Sequence, residues 1–359
     1  MTRVADVGEL ALLARIDARI GPASGDVVIG VGDDTAALRW PAGRLVLMTT
    51  DALVEDVHFR RATGEPADVG WKALAINASD IAAMGGRPTH AVVSLMLPGD
   101  LDVDWVDGLY EGLLEMARGA GIALVGGNLA QAPAIIVDVA LLGEVDPQVV
   151  VRRSGARPGD LVVVTGTLGR AAAGLLALED GGNAGVGARP RAAPGAVAPS
   201  GAAPGGTALE WVLAAQRRPR PRLAEGRALA ASRVVRAMID LSDGLAMDLW
   251  RVCEASGVGV RLDGDRLPVD ASAAEIAGAA GRDPLDVALF GGEDYELLFA
   301  VAPQDADRAL RLLSEEVGTP GTVIGTFVPV SAGRTIVVGG RPRPLEPGGW
   351  THFRHTPAR

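Results

Sequence analysis

Five aspartates that could hold metal ions lie beside Gly, Thr or Ser in short segments that follow apolar runs. They are Asp34, Asp51, Asp80, Asp240 and Asp243. The chain contains a single lysine, Lys72, and no Gly-rich loop ending in Lys-Ser or Lys-Thr surrounds it, so a Walker-type phosphate loop is excluded. Carboxylates spread over several loops suit magnesium bridging a polyphosphate, because this ion keeps several waters and takes few carboxylates directly. The pattern predicts phosphate chemistry that depends on metal ions.

Composition narrows the class of partner. The net charge of -10 over 359 residues argues against nucleic acid and anionic membrane surfaces, because both reward basic patches. With one cysteine, Cys253, the chain can form neither an internal disulfide nor a thiolate zinc cluster. No stretch approaches the roughly 18 uninterrupted apolar residues that a membrane span needs. We therefore expect a cytoplasmic protein with small-molecule ligands.

Apolar runs of strand length recur along the chain with helical patterns between some of them, which is typical of a mixed α/β protein. A turn-rich segment introduces the apolar run that begins at Leu161, so we place a domain boundary near residue 150. This predicts an N-terminal domain over residues 1–149 and a C-terminal domain over residues 150–359. Residues 181–206 are dominated by Gly, Ala and Pro with scattered Arg. Such a composition buries too little apolar surface to offset its ordering entropy, which predicts a long surface insertion.

The most informative single segment is a helical run from Trp71 to Gly86 that surrounds Asp80 with small and apolar residues. A buried and unpaired carboxylate is costly, so a cation should lie nearby. Because Lys72 stands two helical turns away, a metal ion is the better candidate for that cation. The segment therefore favours metal binding over a helix-end role for Asp80.

Two acidic segments allow a metal-binding and a purely structural interpretation. Asp34 lies in a Gly-Asp-Asp turn that could project a ligand from a strand end or be an ordinary polar turn. Asp240 and Asp243 stand three residues apart around Ser242, a spacing that can direct both carboxylates at one metal cluster. Alternatively, Ser242 or Asp243 can be the N-cap of the following helix.

Further segments offer contacts to anionic or flat ligands. Gly127 and Asn128 follow an apolar run and could bring backbone amides close to a phosphate, or form a simple turn. Arg153 could clamp a phosphate or remain a solvated charge. His58 could contact the substrate or lie on the surface. Trp350 belongs to an aromatic C-terminal segment that could be a platform for a flat ligand or a packing anchor.

Taken in order, these motifs resemble the thiamine-monophosphate kinase family over about Gly8 to Phe353. The resemblance is carried by Gly-Asp-Asp, Thr-Thr-Asp followed by His58-Phe59, the run from Asn77 to Gly86, Asp-Leu-Ser-Asp-Gly, and Gly-Gly-Glu-Asp-Tyr-Glu. It implies the two-domain α/β fold, with mixed α+β sheets, of the aminoimidazole-ribotide synthetase superfamily. It also implies a homodimer in which the N-terminal domains pair into a β-barrel.

The resemblance also implies roles for individual residues. The implied magnesium ligands are Asp34, Thr50, Asp51, Asp80, Asp240 and Asp243. The implied ATP contacts are Thr49, Gly127, Asn128, Arg153 and Ser242. The implied contacts to thiamine monophosphate are His58, Glu293 and Trp350. Two segments depart from the family pattern: Asn128 stands where many members have Asp, and Gln216-Arg217-Arg218-Pro219 replaces His-Leu-Arg-Pro.

The implied reaction moves the γ-phosphoryl group of ATP onto the phosphate of thiamine monophosphate. That acceptor has a second pKa of about 6 and is mostly ionised at pH 7, so no general base is required. Its cationic thiazolium ring gives Trp350 and Glu293 a physical role in binding. Two alternatives stay open: another ATP-dependent enzyme of the superfamily, of the purine-synthesis or hydrogenase-maturation type, and a non-catalytic nucleotide-binding module. Retention of five mutually repelling aspartates argues against the module.

Overall fold

The computed structural model describes residues 43–179 and 207–353 in full, together with the backbone of residues 27–29 and 36–39. Asp34 and the predicted insertion at residues 181–206 lie outside the described residues. The described chain forms two mixed sheets, one ending at Val145 and the other beginning at Leu161, each packed against helices. The prediction of a mixed α/β fold is confirmed.

The first sheet has helices on one face. Its strands follow the spatial order β1-β2-β3-β6-β4-β5; β4 and β5 are parallel and the other neighbours are antiparallel. The strands are β1 (Val27–Ile29), β2 (Ala36–Arg39), β3 (Leu45–Val54), β4 (Arg87–Leu97), β5 (Ala123–Gln131) and β6 (Ile136–Val145), and the helices are α1 (Pro66–Ala83) and α2 (Val103–Ala120).

Alternation along β3 decides which side chains of the first sheet meet the helices. Successive residues of a strand point to opposite faces. Leu47 and Leu53 are therefore buried in the core beneath α1 and α2, whereas Met48 is 46% exposed on the opposite face. Val92 of β4 and Leu142 of β6 are also exposed. One face of the sheet thus remains largely open, with apolar side chains on it.

The second sheet is covered on both faces, which matches its almost continuous apolar strands. Its order is β13-β12-β9-β11-β7-β10-β8, with β9 and β12 parallel and the other neighbours antiparallel. The strands are β7 (Leu161–Thr165), β8 (Val235–Asp240), β9 (Val258–Asp263), β10 (Leu297–Val301), β11 (Gly321–Pro329), β12 (Arg334–Val338) and β13 (Arg341–Pro344).

Seven described α-helices accompany this sheet. They are α3 (Arg170–Glu179), α4 (Ala208–Arg217), α5 (Leu223–Ser232), α6 (Leu245–Ser256), α7 (Ala271–Ala279), α8 (Pro284–Phe290) and α9 (Pro303–Arg311). A π-helical segment, Leu312–Val317, continues α9, and the two 3-10 turns are Gly264–Arg266 and Val330–Ala332. Val162 and Val164 pack towards α6 and α8, and Val163 packs towards α5 and α9. Among the described helices, none combines the length and apolar character that crossing a bilayer requires.

The segment after α4 joins the two sheets through α1. The Arg218 guanidinium lies 2.6 Å from the Asp68 carboxylate, and the Trp71 indole N–H donates to the Pro219 carbonyl oxygen at 2.8 Å. The guanidinium also lies over the Trp71 ring, 5.5 Å from its centroid. The segment that departs from the family pattern is therefore a docking element, which holds α1 against the second domain.

Candidate active site

The end of α1 lies between strands of both sheets, and two short hydrogen bonds hold it there. The Thr49 hydroxyl at the middle of β3 donates to Asp80 Oδ2 at 2.5 Å. The Ser79 hydroxyl donates to Asp240 Oδ2 at 2.6 Å, at the carboxyl end of β8. Adjacent residues of one helix therefore bind a strand of the first domain and a strand of the second. The predicted helical run is confirmed, and it positions the Asp80 and Asp240 carboxylates on either side of the domain junction.

Asp240 is the most buried of the four described aspartates of the predicted metal set, at 3% exposure. Burial is the main cause that raises its pKa, to about 6, and the negative charges of Asp51 and Asp243 add to this effect. The Ser79 hydroxyl and the Arg153 guanidinium act in the opposite direction. The structure thus brings Asp51, Asp243 and Arg153 within electrostatic reach of Asp240. A bound cation would relieve the repulsion between these acids.

The turn that carries Asp243 is built differently from the sequence expectation. Helix α6 begins after Gly244, whose φ is 114°, and neither Ser242 nor Asp243 provides a side-chain cap. The buried Asp248 carboxylate instead accepts hydrogen bonds from the amides of Asp243 and Gly244, at 3.0 and 3.2 Å. The capping interpretation of Ser242 and Asp243 was therefore wrong. An acid inside the first turn of a helix, reaching back to free amides, was the signal that could have identified Asp248.

A second residue that sequence reasoning missed fixes the Asp243 carboxylate. The Arg251 guanidinium lies 2.5 Å from Asp243 Oδ2 and 2.6 Å from Asp248 Oδ1. Arg251 follows Asp248 on the same face of α6, at the i+3 spacing that places helical side chains side by side. The Arg251 guanidinium thus bridges the carboxylates of Asp243 and Asp248 and orients the Asp243 side chain.

Backbone hydrogen bonds join the Gly-Gly-Glu-Asp-Tyr-Glu loop to the turn that carries Asp243. The amide of Glu293 donates to the Ser242 carbonyl oxygen at 2.8 Å, and the amide of Tyr295 donates to the Leu241 carbonyl oxygen at 2.9 Å. Glu293 and Tyr295 have φ values of 68° and 49°, in the left-handed region that non-glycine residues rarely adopt. The Glu293 carboxylate lies 2.5 Å from the Lys72 ammonium of α1. The predicted substrate residue Glu293 is therefore held beside the predicted metal residues.

The aromatic C-terminal segment also lies at this turn. The amide of Trp350 donates to the Asp243 carbonyl oxygen at 3.0 Å. The ring centroid of Trp350 lies 6.3 Å from that of His58 and 5.7 Å from that of His352, and His58 and His352 are 5.4 Å apart. Trp350 retains 47% exposure, so its ring is available to a ligand. His352, which sequence reasoning did not single out, completes a group of three rings with His58 and Trp350.

His58 is oriented by its own loop and is biased towards the neutral form. The Val54 amide donates to His58 Nδ1 at 3.0 Å, so the other ring nitrogen carries the proton of the neutral imidazole. Burial lowers the pKa of His58 below 6.5, His352 and Lys72 lower it further, and Glu293 raises it. At neutral pH the ring is therefore uncharged, which suits packing against another ring rather than binding an anion.

Other predicted residues lie apart from this group. The Thr50 side chain points to the opposite face of the first sheet from Thr49 and Asp51, and its hydroxyl donates to Asp138 Oδ1 at 2.8 Å. The structure therefore does not bring the Thr50 hydroxyl to Asp240. Asp138, on β6, was not identified from the sequence because its carboxylate interrupts an apolar run without any turn signal.

Gly127 and Asn128 lie in β5, at the edge of the first sheet, so the simple-turn interpretation of this segment was wrong. A Cβ atom on Gly127 would lie 2.0 Å from the Val93 carbonyl oxygen, which makes glycine a steric requirement at this position. The register places Asn128 opposite Ser94 of β4. These two predicted ATP contacts are exposed on edge strand β5, which lies three positions in the sheet from β3, the strand that carries Asp51.

The donors around Asp240 suit magnesium. Aspartate oxygens are hard ligands, and magnesium takes one or two protein carboxylates together with phosphate oxygens and waters. Across residues 43–179 and 207–353, no group of three His, Cys, Asp or Glu side chains by itself has the geometry to hold a metal ion. The fit therefore depends on Asp51, Asp80, Asp240 and Asp243 acting in pairs with phosphate oxygens.

Comparison with known proteins decides the family. A model of the AIR synthase related protein N-terminal domain matches residues 32–145, and a model of the corresponding C-terminal domain matches residues 157–338. Thiamine-monophosphate kinase of Salmonella typhimurium is 35% identical over 346 residues, which cover 96% of this chain and 98% of that protein. The chain belongs to the thiamine-monophosphate kinase family.

Other members of the family extend the comparison. The Mycobacterium tuberculosis enzyme is 37% identical over 297 residues, covering 81% of this chain and 80% of that protein. A solved structure described as AaThiL complexed with AMPPCP and TMP superposes with a TM-score of 0.80 at 32% identity, covering 98% of this chain and 99% of that one. The Stenotrophomonas maltophilia family member gives a TM-score of 0.71 at 34% identity, covering 92% and 96% of the two chains. A HypE-HypF complex, at 20% identity and a TM-score of 0.67, shares the fold alone.

Proposed function

We propose that this chain transfers the γ-phosphoryl group of ATP to the phosphate of thiamine monophosphate and so forms thiamine diphosphate. The observation that carries the proposal is the hydrogen bond from the Trp350 amide to the Asp243 carbonyl oxygen. It joins the segment with the exposed Trp350 ring, which would bind the acceptor, to the turn with Asp243, which would hold the metal ions of the donor. The family relationship over 96% of the chain supports the same reaction.

In this reaction the side chains of the site would bind metal ions and neutralise the charge of the phosphates. Asp51, Asp80, Asp240 and Asp243 would hold magnesium ions, and Arg153 would neutralise phosphate oxygens. Bound magnesium would supply the positive charge that offsets the repulsion between the two anionic substrates. Because the acceptor phosphate is already ionised at neutral pH, proton removal by a side chain is not needed. We leave the Thr50 hydroxyl out of the metal set, since it faces Asp138. Asp34 remains a predicted ligand.

Four further residues would support or contact ATP. Thr49 contributes through its hydrogen bond to Asp80, and Ser242 contributes through the turn that precedes Asp243. Gly127 and Asn128 would contact the nucleotide from the edge strand β5. We also place the domain boundary near residue 150, between the last strand of the first sheet and the first strand of the second.

A homodimer completes the proposal. The open face of the first sheet exposes Met48, Val92 and Leu142, at 46%, 40% and 37%. Apolar side chains on one sheet face favour burial against a second copy, which agrees with the dimeric N-terminal barrel expected from the resemblance. Light scattering of the purified chain, with Met48→Asp as the disrupting variant, tests the dimer.

The buried Cys253 suits a reducing compartment, so we place the activity in the cytoplasm.

The function is tested by product formation. Purified protein is incubated with ATP and magnesium, with and without thiamine monophosphate, and thiamine diphosphate is separated by chromatography. Asp243→Asn should reduce turnover by about 100-fold or more, because a charge preorganised for the transition state is lost. Asp100→Asn, at an exposed position outside the site, is the matched control.

Three outcomes separate the alternatives. Thiamine diphosphate formed by wild type and Asp100→Asn, and strongly reduced in Asp243→Asn, supports the kinase. ATP binding without this product, followed by product from another acceptor in a panel of phosphate monoesters, would replace thiamine monophosphate by that acceptor. Nucleotide binding with no ADP release for any acceptor would refute catalysis.

A further inference from the structure

The only lysine of the chain is buried at the acceptor side of the site. Lys72 lies on α1 and is 3% exposed, and its Nζ atom lies 2.5 Å from Oε1 of Glu293. A buried ammonium is stable only when a counter-charge compensates it. Within the described residues, Glu293 is its ion-pair partner. Since α1 belongs to the first domain and Glu293 to the second, this pair crosses the domain junction.

The backbone and the side chain of Glu293 are held by different parts of the molecule. Its backbone adopts a φ of 68° and its amide donates to the Ser242 carbonyl oxygen at 2.8 Å, so the second domain fixes where the residue lies. Its side chain keeps 27% exposure and has Lys72 on its buried side. The ion pair thus joins one oxygen of the carboxylate to the buried ammonium, and the partly exposed side chain of Glu293 remains accessible to a ligand.

The charges of Lys72 and Glu293 also influence the His58 ring, which lies near Trp350. Lys72 and Glu293 shift the pKa of His58 in opposite directions, which places both charges close to this ring, and His58 lies 6.3 Å from Trp350. A cationic thiazolium ring bound at Trp350 would approach a carboxylate with an ammonium behind it. The pair is nearly neutral as a unit, so removing only the carboxylate would leave an uncompensated ammonium facing a cationic ligand.

We propose that Lys72 is a positioning residue, which holds the Glu293 carboxylate towards the cationic ring of thiamine monophosphate. The proposal depends on the proposed function and adds a residue to it. Lys72 acts through Glu293 and need not touch either substrate. Its position on the helix that also carries Asp80 gives one helix two tasks: its final turn serves the metal side, and its second turn serves the acceptor side.

The test compares four variants in steady-state kinetics with each substrate varied in turn. Lys72→Met should raise KM for thiamine monophosphate about tenfold, because the Glu293 carboxylate loses the ammonium that holds it towards the ligand, while KM for ATP changes by less than about twofold. Glu293→Gln should raise it further, because the ammonium then opposes the ligand cation. The double variant Lys72→Met/Glu293→Gln should recover part of that loss, and Lys72→Arg should lie near wild type. Arg87→Met, which breaks an exposed ion pair with Glu144 in the same domain, is the matched control.

Several results would overturn the proposal. A KM for thiamine monophosphate in Lys72→Met equal to that in Arg87→Met would do so, as would equal rises in both KM values, which indicate a general structural effect. Losses that multiply in the double variant would also contradict it. If Lys72→Met does not fold, Lys72→Arg near wild type with Glu293→Gln raised upholds the proposal, and Glu293→Gln at the wild-type value refutes it. Absence of thiamine diphosphate from wild type refutes the proposed function itself, and this inference with it.

Discussion

Replacing Asp240 by asparagine should make the metal-free protein more stable at neutral pH while abolishing its activity. Asp240 is buried beside the charges of Asp51 and Asp243, and its pKa is raised from 3.8 to about 6. The folded protein therefore binds this proton more tightly than the unfolded chain does. The resulting stability is complete below pH 3.8 and is lost as the pH rises through about 6. Above that pH the ionised carboxylate opposes folding, and asparagine removes this opposition.

The magnitude follows from the two pKa values. The gap between 3.8 and about 6 corresponds to about 3 kcal/mol, at about 1.4 kcal/mol for each pH unit. We expect Asp240→Asn to gain up to this amount at pH 8 and only about 1 kcal/mol at pH 4.5, where the folded carboxyl is mostly protonated. Asparagine keeps an oxygen that can accept the Ser79 hydroxyl, so this hydrogen bond should survive the substitution.

The assay is urea denaturation in the presence of a chelator at pH 4.5, 6.5 and 8, at low protein concentration because the pI is about 5.0. Asp100→Asn serves as the exposed control, with no expected change. Without the chelator, magnesium added together with ATP should stabilise wild type at pH 8 more than it stabilises Asp240→Asn. A variant that is less stable than wild type at pH 8, or a difference that does not depend on pH, would refute the reasoning from burial and repulsion.

Three further substitutions test other parts of the site. Trp350→Ala should raise KM for thiamine monophosphate while Trp350→Phe retains most of the affinity, and an unchanged KM in a folded Trp350→Ala would exclude the aromatic platform. Glu296→Gln should destabilise the protein by about 1.5–3 kcal/mol in urea denaturation, because the buried Arg222 guanidinium loses one of its two carboxylate partners and keeps only Glu225; a loss below about 1 kcal/mol would contradict this. Gly127→Ala should weaken nucleotide binding and lower the melting temperature because its Cβ meets a strand carbonyl, whereas Gly126→Ala has room, so equal behaviour of the two in thermal melts would refute the steric argument.

Local sequence patterns predicted the elements of this fold better than their contacts. Apolar runs located the cores of the strands, and the spacing around Asp80 located α1. The same patterns did not show which face Thr50 occupies, because alternation gives a face only once the register of the strand is known. Lys72 was recognised as unique, yet its partner is supplied by a loop of the other domain. Long-range pairings of this kind leave no local periodicity, so only the folded chain reveals them.

Residues that support the site had weaker signals than the residues that form it. Asp243 stood in a recognisable acidic motif, and the resemblance to a family gave it a role. Asp248 and Arg251 orient its turn and carboxylate, but in the sequence they are only an acid and a base in an amphipathic helix. Their function appears when one asks which groups satisfy the free amides at a helix start that has glycine as its N-cap.

The bond between the Trp350 amide and the Asp243 carbonyl oxygen limits how the protein could be re-engineered. In many enzymes the segment that selects the substrate can be exchanged without disturbing the segment that carries the reactive groups. Here the backbone of the segment proposed to bind the acceptor is hydrogen-bonded to the backbone of the turn that carries Asp243, and the loop of Glu293 is hydrogen-bonded to the same turn. Grafting a foreign C-terminal segment to change the acceptor would therefore alter the metal side as well, and a change of acceptor would require all three segments to be transplanted together.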